Sequence, residues 1–173
     1  MRALVVYESM FGNTEAVAQA VAGGIQESMA VDVVEAGAAP DAVPEGVALL
    51  VVGGPTHAFG MSRPATRIDA ARQVLAIISL ERGIREWLKG LPVRTSATQA
   101  AAFDTRVTSR VTGSAARAAS RRLGRLDYPL VAVPEGFRVT GVKGPLIDGE
   151  LDRARAWGVI LGTVVAARQA SRS

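Results

Sequence analysis

Ala3-Leu-Val-Val-Tyr7 runs straight into Glu8-Ser9-Met10-Phe11-Gly12-Asn13-Thr14, and beyond Thr14 apolar residues recur at helical spacing. A five-residue apolar run reads as a strand buried on both faces. Val17, Ala18, Val21, Ala22, Ile25 and Met29 then mark one stripe of an amphipathic helix, with Glu15 and Gln19 outside it. A loop of small and hydroxyl residues between a buried strand and a helix start suits an anion. Ser9, Asn13 and Thr14 offer side-chain donors, Gly12 admits close backbone approach, and the helix N-terminus favours negative charge. The competing reading is that Asn13 or Thr14 simply caps the helix. A cap needs one such residue, and this loop carries several on both sides of Gly12. It lacks the Gly-Lys-Ser/Thr ending of a Walker loop and is not the Gly-x-Gly-x-x-Gly dinucleotide turn.

Composition narrows the chemistry. The chain has 173 residues, enough for one domain with a full core, and 49% are hydrophobic. It has no cysteine, so disulfides, thiolate catalysis and cysteine-ligated metal centres are excluded, and its single histidine, His57, excludes a multi-histidine metal site. No Gly-x-Ser-x-Gly elbow supports a hydrolase. No apolar run reaches the ~18–20 residues of a membrane span, and Met-Arg-Ala opens no signal peptide, so a cytoplasmic location is expected.

Charge is unevenly spread. Residues 1–105 hold 8 basic and 11 acidic side chains, whereas residues 106–173 hold 12 and 5. Arg117, Arg121 and Arg125 recur every four residues, which predicts an exposed basic helix face. A nucleic-acid surface is the sharper alternative, but interleaved aromatics and a recognised binding module are both missing.

The remaining chain alternates strands and helices. Strands are expected at Ala30–Glu35, Val47–Val52, Thr98–Phe103 and Tyr128–Val133. Helices are expected at Pro64–Leu75, at Ile84–Leu88, from Gly113-Ser114 onward, and from Gly149 to about Arg168 with Asp148 as its cap. Ile77–Gly83 is ambiguous, and Glu135–Lys143 suggests a small hairpin. Five strands joined by right-handed crossovers imply a doubly wound α/β sandwich on a five-stranded parallel sheet. Ligands of such sheets lie beyond the carboxyl ends of the strands. Glu8–Thr14, Gly53–Ser62 and Asp104–Gly113 fall there.

Together these three loops resemble the flavodoxin family, over essentially the whole chain, and more loosely the flavodoxin-like quinone reductases. Ser9-Met-Phe-Gly-Asn-Thr14 is similar to the family's phosphate loop, Ser/Thr-x-Thr-Gly-x-Thr, with Phe11 in place of the usual hydroxyl residue. Gly54-Pro55-Thr56-His57-Ala58-Phe59-Gly60-Met61 resembles the second loop, which flanks the flavin ring. Ala101-Ala-Phe103-Asp104-Thr105-Arg106 sits where the third loop begins. Pro145–Leu151 with Trp157-Gly158 resembles actinobacterial-type flavodoxin domains.

The resemblance implies noncovalent FMN, with Ser9, Met10, Phe11, Gly12, Asn13 and Thr14 at the phosphate and Pro55 to Met61 framing the ring. Phe103, Asp104, Thr105 and Arg106 would close the other side, Asp104 near the pyrimidine end. It implies an electron carrier between redox partner proteins. An FMN-dependent NAD(P)H:quinone oxidoreductase and an interaction module that has lost its flavin are the alternatives. Two features depart from the family: the third loop lacks its stacking tyrosine, and the pI is near 10.3 where flavodoxins are acidic. Phe59, Met61 or Phe103 is left to stack on the ring, while Phe59 and Phe103 also read as core residues. His57 has three readings: a loop hydrogen bond, a flavin contact or a proton-transfer role. Trp87 and Trp157 read as packing residues.

Overall fold

A computed structural model of the chain describes residues 1–57, 60–72, 82–94, 96–108 and 113–171, apart from the His57 side chain. Six strands and five helices follow one another among them: β1 Arg2–Tyr7, α1 Asn13–Ile25, β2 Ala30–Glu35, β3 Val47–His57, β4 Gly60–Met61, α2 Pro64–Ala71, α3 Ile84–Gly90, β5 Gln99–Val107, α4 Ala115–Arg125, β6 Glu135–Val139 and α5 Glu150–Ala170. The sheet order is β2-β1-β3-β5-β6, with the two-residue β4 paired to β3. All five strands of that path are parallel. Val5 lies between Val33 and Val51, so the apolar run of β1 is central to the sheet.

Alternation along the strands builds two cores. Val5, Leu49, Val51 and Phe103 face α1 and α5, where Val21, Ile25, Trp157 and Leu161 cover them. Leu4, Val6, Leu50 and Val52 face the opposite way, under Ile84, Trp87, Leu88 and Leu123 of α3 and α4. Trp87 is fully buried and donates its indole N–H to the Pro40 carbonyl at 2.8 Å. Helices α1 and α5 touch through glycine. A Cβ on Gly24 would stand 2.1 Å from the Arg155 carbonyl oxygen, and one on Gly158 would stand 2.1 Å from that of Val21.

Several expectations needed correction. Tyr128–Val133 is not the fifth strand: Leu130 makes one bridge to Ala100, and the parallel strand beside β5 is Glu135–Val139, within the expected hairpin. Proline explains the split, because Pro129 and Pro134 have no N–H to donate to a ladder. β3 runs five residues past its expected end at Val52 and β5 four past Phe103, carrying Pro55, Thr56, Thr105 and Arg106 up to the rim. Gly149, with φ 83°, is the N-cap of α5, not Asp148. α2 spans Pro64–Ala71, with Arg72 as its cap; residues 73–75 of the expected helix and most of Ile77–Gly83 lie outside the described residues. On α4, Arg117, Arg121 and Arg125 are exposed as expected, while Arg122 bonds the Leu88 and Lys89 carbonyls.

Candidate flavin site

The chain leaves β1 in one direction for β2 and crosses to the other side for β3, so strand order reverses between β1 and β3. Crevices at such a reversal, outside the carboxyl ends of the strands, are where doubly wound sheets bind ligands. A cleft of about 220 Å³ opens there, lined by Met10, Phe11, Asn13, Thr14, Pro55, Thr56, Thr105, Arg106, Val107, Val139 and Val142.

The first loop has the shape of an anion cradle. Gly12 is the N-cap of α1 at φ 84°, ψ −16°, a left-handed conformation that glycine adopts without strain. A Cβ there would meet nothing within 4 Å, and no side chain caps the helix. The capping reading of Asn13 and Thr14 therefore fails. Asn13 donates instead to the Lys143 carbonyl at 3.0 Å, and the Thr14 hydroxyl pairs with that of Thr105 at 2.7 Å. Ser9 accepts the Gly12 N–H at 3.1 Å, which folds the loop back on itself. Among the described residues no side chain caps the first turn of α1, and amides so placed suit a ligand or water.

The other expected residues divide into four groups. Pro55, Thr56, Thr105 and Arg106 line the cleft. Gly60 and Met61 form β4, paired back on His57 and Thr56. Ala58, Phe59 and the side chain of His57 lie outside the described residues.

Phe103 and Asp104 are set back from the cleft. Both are buried, on opposite faces of β5, and neither lines the cleft. The Phe103 ring lies across Gly53, whose added Cβ would be 2.0 Å from it, and meets Phe137 and Trp157 edge-on at 6.0 and 6.3 Å. Asp104 organises the start of α4. Its Oδ2 accepts from the Ser114 hydroxyl at 2.6 Å, the Ala116 N–H at 3.0 Å and the Thr56 hydroxyl at 3.0 Å. Its Oδ1 lies 3.6 Å from Arg106 Nε. The Arg106 guanidinium in turn lies flat over Gly136, where a Cβ would be 2.3 Å from Nη2.

Sequence reasoning missed Val107, Val139 and Val142. The last two follow from the displaced β6, whose carboxyl end reaches the cleft only once the edge strand is placed at Glu135–Val139.

Tyr7 and Glu8 mark the base of the first loop. Tyr7 donates to Glu15 at 3.1 Å, and burial with that neighbouring carboxylate pushes its phenol up to about 12. Burial also raises the Glu8 carboxyl, against the opposing pull of hydrogen bonds from Ser62 and the Ile84 N–H. A carboxyl whose folded pKa is raised binds its proton more tightly in the folded state. Its contribution is therefore full below the unfolded pKa and fades as pH rises through the folded one. The stability of Glu8→Gln relative to wild type should accordingly increase with pH across that interval, by at most about 1.4 kcal/mol per pH unit. Denaturant unfolding at stepped pH measures this difference.

No protein-family model matches this sequence, and no curated protein matches it. Solved structures do match. An archaeal flavodoxin superposes with a TM-score of 0.64 at 19% identity, covering 95% of this chain and 99% of that one. The Flv1 flavodiiron core from Synechocystis sp. PCC6803 gives 0.64 at 16% identity, with 97% of this chain matched to only 36% of that one. A diflavin flavoprotein A3 from Nostoc sp. gives 0.60 at 18%, covering 100% and 98%. At such identities the likeness establishes the fold: this is a flavodoxin-like α/β sandwich. Among the described residues no helix is long and apolar enough to cross a membrane.

Proposed function

We propose that the chain binds FMN noncovalently in this cleft and carries electrons between partner proteins in the cytoplasm. The observation that carries the reading is the Gly12 turn. An uncapped helix start, with open space above a left-handed glycine, sits at the strand-order reversal of a flavodoxin-like sheet. Hydroxyl and amide donors suit a phosphate, and the largely apolar wall of Met10, Phe11, Pro55, Val107, Val139 and Val142 suits a flat ring.

In this reading the α1 amides and the Thr14 hydroxyl bind the phosphate, with Ser9 and Asn13 holding the loop in shape. Thr56 and Asp104 fix the wall against α4, and Met61 flanks the ring side. When bound, the flavin supplies the one- or two-electron chemistry; the protein orients it and sets its potential.

Each charge-assisted hydrogen bond to phosphate contributes about 1.5–3 kcal/mol, so losing one weakens binding roughly ten- to a hundredfold. Thr14→Ala and Ser9→Ala should each raise the FMN dissociation constant while leaving riboflavin binding nearly unchanged. Fluorescence titration with both flavins checks this; equal losses for the two would move the phosphate elsewhere.

Arg106 bears on the potential. Its guanidinium stands in the cleft wall, three-quarters buried and partly neutralised by Asp104. In Arg106→Gln the cation is gone and the buried Asp104 carboxylate stays behind. Added electrons then meet a more negative wall. The flavin potential should fall by tens of millivolts, given about 59 mV per tenfold change for a one-electron step. Spectroelectrochemical titration measures it, and an unmoved potential would remove Arg106 from the site.

A further inference from the structure

Behind the cleft lies a buried ionic cluster that neither the phosphate cradle nor the ring wall accounts for. Glu8, 1% exposed, directly precedes Ser9. Its Oε1 accepts a hydrogen bond from the Ser62 hydroxyl, and its Oε2 accepts the Ile84 N–H at 2.9 Å. Arg67, equally buried, donates to the Ser62 hydroxyl at 3.0 Å and pairs with Glu86 at 3.0 Å. Arg85 holds the same corner from outside, donating to the Met61 and Ser62 carbonyls at 2.6 and 2.8 Å. Gly83 leaves the room: a Cβ there would stand 2.5 Å from both Arg67 Nη1 and Glu8 Oε2.

Burying a carboxylate is costly unless several donors meet it. Here the donors come from separate segments, Ser62 at the end of the second loop and Ile84 at the start of α3. A carboxylate has two oxygens and so can take both at once. The main chain of Glu8 is tied as well, its N–H donating to the Gly53 carbonyl at 2.9 Å. One residue thereby joins the phosphate loop to the segment that carries Met61, which pairs in turn with the cleft residue Thr56.

We propose that Glu8 is a positioning residue that latches the Met61–Ser62 strap and the start of α3 to the phosphate loop, so that the phosphate and ring subsites form as one unit. The inference rests on the FMN reading above. It assigns Glu8 a signature that phosphate contacts lack, because a displaced strap costs affinity for any flavin, phosphorylated or not. The charged groups facing Glu8 are Arg67 from α2 and Glu86 from α3, two carboxylates against one guanidinium.

The test is a paired titration of FMN and riboflavin into wild type, Glu8→Ala, Ser62→Ala, the double variant, Glu8→Gln and Thr14→Ala. Glu8→Ala and Ser62→Ala should each weaken both flavins by the same factor, about tenfold, and the double variant should be no weaker than Glu8→Ala alone. Glu8→Gln, which keeps an acceptor for Ile84, should recover most of the affinity. Thr14→Ala should weaken FMN only. In the flavin-free protein, hydrogen exchange at the Ile84 amide should quicken in Glu8→Ala and not in Thr14→Ala. Ser62→Ala cuts the same link from the other side if Glu8→Ala does not fold. Folded Glu8→Ala or Ser62→Ala that binds both flavins within twofold of wild type, or that loses FMN alone, would overturn the inference. Wild type that binds neither flavin would overturn the FMN reading along with it.

Discussion

Replacing Gly12 by valine should abolish measurable FMN binding while leaving the protein folded. Two effects act together at this position. The backbone sits at φ 84°, where a β-branched residue is strained by about 1–3 kcal/mol. That cost falls on stability and is well below the ~5–15 kcal/mol of a typical domain. The second effect falls on the ligand. A Cβ on Gly12 would meet nothing within 4 Å, so the new side chain is expected to project into the approach to the α1 amides. Losing two or more charge-assisted contacts there corresponds to at least a hundredfold in affinity. Riboflavin should suffer much less, and the melting temperature should fall by several degrees without loss of cooperativity. Gly12→Ala, with a smaller side chain and similar φ strain, should lie between the two.

Gly158→Ala should be among the most destabilising single-methyl changes available. Taken alone, alanine in place of a helical glycine stabilises by about 0.5–1 kcal/mol. At Gly158 the contact wins, because the new Cβ would stand 2.1 Å from the Val21 carbonyl oxygen and 3.1 Å from the Val21 Cα. These are backbone atoms of a packed helix and have no rotamer to change. α1 and α5 must separate, loosening the contacts of Val21, Trp157 and Leu161 in the core beneath. Overpacking of this kind costs about 1–3 kcal/mol or more, and each kcal/mol lowers the melting temperature by about 2–4 °C at this size. Gly124→Ala is the control. Gly124 lies on the exposed side of α4 with nothing within 4 Å, so the same change should raise stability slightly. Thermal unfolding by circular dichroism separates the two signs.

The parts of the fold that were legible in the sequence are those where one pattern had no competitor. β1 is apolar from Ala3 to Tyr7 because both of its faces are covered there, and α1 shows a clean stripe because one face packs on the sheet. The edge strand was misread because two apolar segments stood within ten residues of each other. Composition favoured Tyr128–Val133, but prolines at 129 and 134 prevent a continuous ladder there. The less apolar Glu135–Val139 pairs with Phe103–Val107 instead. The end of β3 was hidden for a related reason. Gly53-Gly54-Pro55 reads as a turn, yet Gly53 stays in the strand because its neighbour Phe103 needs the space of the missing side chain.

At the site, the Ser9–Thr14 loop was legible because its residues are contiguous. Phe103 and Asp104 were placed by position along the chain, whereas strand parity decides where they point. Adjacent residues in a strand covered on both faces enter opposite cores, and only Thr105 and beyond reach the rim. Glu8 belongs to the same contiguous stretch, but its role is not legible there. Nothing near it in sequence announces Ser62 and Ile84, which are 54 and 76 residues away.

The central claim is that this cleft holds FMN, and the most direct test is titration of purified protein with FMN, followed by flavin fluorescence and visible absorption. The account predicts saturable quenching at one FMN per chain, a shifted and structured band near the flavin maximum, and loss of both in Gly12→Val. Fluorescence and absorption identical to free FMN at every protein concentration, with the protein folded, would contradict it.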